Sequence, residues 1–133
     1  MMIKNYYYFV VGLLSILFAI THALNGQAVI LPSLEIEIIS IEIRTIFFYV
    51  WHIISAENML FGISFLIMAF IKKLEKVRFT AFAIAALMVI RWIVIFYGTF
   101  MYNRQGLGNI TIDTVAIIIF TALIILGTRV KDK

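Results

Sequence analysis

Apolar residues run in four long blocks along the chain, and polar residues gather between them. The blocks cover about 6–24, 45–71, 79–102 and 110–127. Each approaches or exceeds the roughly 20 residues that a helix needs to cross a bilayer at about 1.5 Å per residue. A membrane strand takes about 10 residues and alternates apolar with polar, so the pattern predicts helices. The second block is the longest and should tilt or protrude. The expected architecture is all-α: an integral membrane four-helix bundle, one transmembrane domain over 1–133, with a long outer loop at 25–44.

That loop carries a pattern of its own. Leu34-Glu35-Ile36-Glu37-Ile38 alternates, slips at Ile39, and resumes through Ser40, Ile41, Glu42 and Ile43. Period two suggests a short extended piece. Ser33 after Pro32, with Glu35 in the following turn, suggests a capped interfacial helix instead. The helix is favoured, because an isolated strand has no backbone partner. Gly106 and Gly108 mark the other outer turn.

Composition agrees with the pattern. Of 133 residues, 64% are hydrophobic and 14% charged, against about 45–50% and 25% in soluble domains. A soluble domain of this size could not bury so much apolar side chain. A soluble domain, a disordered tail and a nucleic-acid binder are thereby excluded. Cysteine is absent, so disulfides, thiolate metal sites and thiol nucleophiles are excluded too.

The placement of charge adds orientation. Lys4, Lys72, Lys73, Lys76, Arg78, Arg129, Lys131 and Lys133 are eight of the eleven basic residues, and all fall on one side of a four-span chain. The positive-inside rule then places both termini in the cytoplasm, with a bacterial inner membrane as the expected location. Attraction to anionic lipid is a secondary consequence. The first span, with Lys4 ahead of it and the cleavage-like triplet Thr21-His22-Ala23, also admits a signal-peptide reading. Tyr6, Tyr7 and Tyr8 favour a retained helix, since tyrosine anchors at the interface.

Small residues predict where helices touch. Gly12, Ser15, Ala19, His22 and Gly26 recur at steps of three and four; Ser55, Gly62 and Ala69 recur every seven. Ala81 with Ala85, and Thr114, Thr121 and Thr128, mark the third and fourth helices.

Charges at membrane depth cost roughly 2.5–3.5 kcal/mol each on insertion scales. Glu57 and Arg91 fall on consecutive antiparallel spans at depths that differ by about 3 Å. A buried Glu57–Arg91 ion pair is the expectation, with the carboxylate about 200° from Ser55 around its helix. Nearer the outer face lie His22, His52 and Asp113, with Asn58 and Tyr97 as further ligand-binding candidates and Trp51 beside His52 as an aromatic anchor. Two histidines on different helices can ligate a haem or a transition metal, which Asp113 could join. Hydrogen-bonded interior histidines are the simpler alternative, and Asp113 also suits a helix first turn.

Four spans with both ends inside, a long first outer loop, and Glu57 followed by Gly62 and Leu66 together resemble the DoxX-like membrane proteins. The first helix departs from that pattern, with only Lys4 where many members carry an arginine. The resemblance implies an accessory role in redox work. Read from the residues, the first expectation is a non-enzymatic protein that binds a lipid or other ligand, or serves as an accessory subunit. Its expected partners are membrane lipid and a second copy or another membrane protein, with no nucleic acid. One alternative is a redox, metal or haem protein using His22 and His52. Another is a small proton-coupled transporter using Glu57. No nucleophile setting is present, so no enzyme is assigned.

Overall fold

The computed structural model describes residues 2–34 and 39–131. Four helices account for most of them: α1 (Tyr6–Ser33), α2 (Ile41–Ala69), α3 (Glu75–Tyr102) and α4 (Arg104–Thr128). No strand occurs among the described residues. All four helices are long and apolar enough to cross a membrane.

The helices begin and end where polar residues still favour helix, beyond the apolar blocks. α2 starts at Ile41, four residues before the expected Thr45, because Ser40 caps it: the Ile43 N–H reaches Ser40 Oγ at 3.4 Å. α3 starts at Glu75, where Glu and Lys are good helix formers and the acid sits in the first turn. α1 does not stop near Leu24. It continues through a π-turn at Gly26–Ile30, in which the Leu31 N–H bonds the Gly26 carbonyl five residues back. Pro32 follows, and it has no N–H to offer the carbonyl of Ala28. Ser33 ends this helix, with its hydroxyl on the Ile30 carbonyl at 2.6 Å, and does not open a new one. The outer loop is therefore shorter than 25–44. The alternating Glu35–Ile38 stretch lies outside the described residues.

The glycine-marked turn also differs from expectation. Gly106 and Gly108 lie in a 3₁₀ segment, Arg104–Ile110, that opens α4. Neither glycine has positive φ. Asn103 alone breaks the helical run, at φ −150° and ψ 68°, and its side chain accepts from the Gly106 N–H.

The chain divides into two compact units. One comprises Met1–Val11 and Ile67–Lys133. Here α3 and α4 pair antiparallel, joined by the start of α1 and the end of α2. Its core is densest at the basic end: Tyr8, Ala69, Leu74, Ala81, Ile124 and Gly127 are buried. Asn5 organises this end. Its Oδ1 accepts from the Tyr8 N–H at 3.1 Å, which caps α1. Its Nδ2 donates to the Gly127 carbonyl at 2.8 Å. The backbone N–H groups of Lys4 and Asn5 both donate to the Ala69 carbonyl. Carbonyls at the C-terminal ends of α2 and α4 thus gain donors that their own helices cannot supply. The Tyr8 ring lies against Gly127, where a Cβ would come within 2.5 Å of it.

The second unit, Gly12–Leu66, holds the rest of α1 against the larger part of α2. The two small-residue stripes meet here. A Cβ on Gly12 would lie 2.9 Å from the Leu66 nitrogen, and one on Gly62 would lie 2.9 Å from the Gly12 carbonyl oxygen. Ser15, Ala19, Ser55 and Asn58 are buried in the same seam.

Candidate functional site

The polar side chains of the Gly12–Leu66 unit collect where α1 passes into its π-turn. The stepwise spacing on α1 puts His22 and Gly26 on the face that meets α2. His22 lies parallel to Trp51, with ring centroids 4.3 Å apart and planes 14° apart. Phe18, one turn earlier, stacks at 6.2 Å from the imidazole. The Trp51 indole N–H donates to the His22 carbonyl at 2.9 Å. Gly26 is required under that indole, because any Cβ there would overlap its pyrrole edge. His22 Nδ1 is 2.9 Å from Ser55 Oγ, one turn beyond Trp51.

His52 sits next to Trp51 and is engaged separately. Its Nε2 is 2.8 Å from Gln27 Nε2, on the first turn of the π segment. Which of the two donates depends on the His52 tautomer. Phe48 meets His52 edge-on at 4.6 Å. Gln27 is the second residue of the π-turn, which changes the register of the helix between Gly26 and Ile30.

A hollow of about 400 Å³ adjoins this cluster. Ala19, Ala23 and Leu24 of α1 and Ala56 and Met59 of α2 make its apolar wall, and Ser55 is its one hydroxyl-bearing residue. Ligand sites reach this size and have mostly apolar walls of this kind. Asn58 is buried one turn from Ser55 on the same side of α2.

The remaining sequence candidates stand elsewhere. Asp113 is exposed in the first α-helical turn of α4, where a carboxylate suits the helix dipole. Tyr97 is exposed on α3. Glu57 is exposed and Arg91 half-buried. Ser55, Asn58, Gly62 and Phe65 form the buried stripe of α2, and Glu57 lies on the opposite face, as its spacing from Ser55 predicts. Among the described residues, no group of three or more His, Asp or Glu side chains could hold a metal ion, His22, His52 and Asp113 included.

The sequence places Gln27 near both histidines and suggests Trp51 as an aromatic anchor, but it does not show the Trp51–His22 stack or the Gln27–His52 contact. The available signal was Gly26. Its place on the packing stripe of α1 marks a position where a large ring from α2 comes close to the backbone. No family model, curated protein or solved structure matches the chain.

Proposed function

We propose that this is a non-enzymatic protein of the bacterial inner membrane, with both termini cytoplasmic, that binds an apolar small molecule or lipid tail as a ligand carrier or accessory subunit. The observation that carries the reading is the apolar space of about 400 Å³ that adjoins the Ser55–His22 hydrogen bond. Apolar walls would hold the body of the ligand. Ser55 offers those walls only apolar surface, because its Oγ is turned to His22 and the Trp51 carbonyl. The stacked Phe18, His22 and Trp51 rings keep the imidazole in one orientation, which suits positioning better than proton transfer. The likeness to DoxX-like proteins is compatible with an accessory role of this sort.

The rings favour this reading over haem or metal ligation. His52 Nε2 is engaged by Gln27, and His22 Nδ1 by Ser55. A metal would have to break one of these bonds or use the other nitrogen of each ring. The test is solvent extraction and mass spectrometry of detergent-purified protein, with an absorption spectrum taken first. A molecule retained at about one per chain, and lost on filling the hollow by Ala23→Trp, is the expected result. Retention unchanged by Ala23→Trp, or a Soret band, would overturn it.

A further inference from the structure

A second apolar groove runs between α3 and α4, within the unit that holds both. Two hydrogen bonds pin this helix pair. Trp92 Nε1 donates to Thr114 Oγ1 at 3.0 Å, and Arg78 Nη2 donates to the Val130 carbonyl at 3.3 Å. The pins are fourteen residues apart on α3, or about 21 Å. Between them the helices leave a space of about 390 Å³, lined by Val89, Trp92, Ile118, Thr121, Ala122 and Ile125. From Thr114 to Ile125 the α4 side of this groove is about 16 Å long, close to half of a roughly 30 Å hydrocarbon core. One leaflet's acyl chain has that reach.

Two basic residues lie beyond one end of the groove on the same helices. Arg78 is eleven residues before Val89, which is about 20° away around α3, so the two share a face. Arg129 continues the line of Ile118, Ala122 and Ile125 on α4 at the same spacing. Both arginines therefore lie beyond the Val89 and Ile125 end of the space, outside its lining. Arg78 is held there by Val130, and its buried Nε has no hydrogen-bond partner among the described residues. Phe79, at 82% exposed, follows Arg78 in the chain, and Tyr6, at 68%, lies in the same unit; exposed aromatic residues suit headgroup level. The space is apolar over about one leaflet's depth, and basic residues follow it toward the same end of both helices.

We propose that the α3–α4 groove binds one anionic phospholipid, its acyl chain along Ile118, Ala122 and Ile125 and its phosphate at Arg78 and Arg129. Guanidinium groups suit phosphate because their forked N–H donors can meet two oxygens at once. The proposal does not depend on the function assigned to the α1–α2 hollow.

The test is native mass spectrometry of the protein in a neutral detergent, titrated with phosphatidylglycerol or with phosphatidylcholine of identical acyl chains. One phosphatidylglycerol per chain should be retained, at least tenfold more tightly than phosphatidylcholine. Millimolar inorganic phosphate should fail to displace it, which separates a lipid from a free anion. Arg129→Gln should weaken retention about fivefold, the worth of one cation near a membrane surface. Ala122→Phe should weaken it more than tenfold by filling the groove, with the charges untouched. Lys72→Gln should change it less than twofold. Circular dichroism confirms that each variant is folded, and Arg129→Gln carries the test if Ala122→Phe is not. Equal effects of Lys72→Gln and Arg129→Gln would reduce the site to diffuse attraction and overturn the proposal. So would unchanged retention by folded Ala122→Phe, or a lipid-free dimer of the native chain.

Discussion

Replacing Asn5 by alanine should destabilise the protein by about 2–4 kcal/mol. The side chain is fully buried and makes two hydrogen bonds of different kinds. Losing the cap on the Tyr8 N–H costs roughly 0.5–2 kcal/mol. Leaving the Gly127 carbonyl without its donor costs about 1–3 kcal/mol where water cannot replace it. The bonds from the Lys4 and Asn5 backbones to Ala69 survive the substitution, which sets the upper bound. The measurement is unfolding of the detergent-solubilised protein by increasing mole fraction of dodecyl sulfate, followed by circular dichroism. Two further variants separate the terms. Asn5→Ser keeps an acceptor for the cap but cannot span to Gly127, so it should lose about half as much. Asn5→Asp also keeps the cap but sets a carboxylate oxygen against the Gly127 carbonyl, and should be at least as damaging as alanine. A loss under about 0.5 kcal/mol for Asn5→Ala, or a stable Asn5→Asp, would refute the assignment of Asn5 as the tie between these helix ends.

Other expectations follow from the same contacts. Gly26→Ala should displace the Trp51 indole and cost about 1–3 kcal/mol by overpacking; in a Trp92→Phe background, Trp51 emission should shift. Gly127→Ala should be similarly costly, because its Cβ meets the Tyr8 ring, whereas Gly98→Ala, with open space around it, should gain about 0.5–1 kcal/mol in the same dodecyl sulfate titration. Thr121→Val should be neutral or mildly stabilising by that measure, since the buried Oγ1 has no hydrogen-bond partner among the described residues.

Hydropathy located all four helices because the solvent for which these side chains are selected is lipid. It misplaced their ends for the same reason. Ile41–Arg44 and Glu75–Arg78 are helical but polar, and a hydropathy window stops where the lipid does. Asn5 was locally legible as a residue type that caps an apolar run. Its reach to Gly127, 122 positions away, was not, since nothing short of the packed fold brings those groups together. The stripe Gly12, Ser15, Ala19, His22 correctly placed His22 against α2. The π-turn was invisible, because a one-residue change of register leaves no compositional mark and depends on how Trp51 seats over Gly26. Gln27 lies within that turn, so its bond to His52 could not be read from spacing.

The two units are held by different kinds of contact, and that difference bears on where each can accommodate a ligand. At the basic end of the α3–α4 unit the ties run to main-chain carbonyls: Ala69, Gly127 and Val130 all accept from groups outside their own helices. Such bonds fix helix ends without filling the space between helix bodies. Farther along α3, Trp92, Phe96 and Phe100 stack in succession and Arg104 covers the last ring at 4.7 Å, which braces the other end of the same helix. A helix pair secured at its ends and lined by alanine and threonine midway keeps a groove. In the Gly12–Leu66 unit the order is reversed. Glycine contacts at Gly12 and Gly62 bring two backbones together, and bulky rings at Phe18, His22 and Trp51 fill the seam farther along. The hollow at Ser55 opens beside that transition, where a close seam gives way to a side-chain stack. Filling either space should therefore remove a ligand while leaving the helix ties intact, and breaking the ties should unfold a unit without first emptying it.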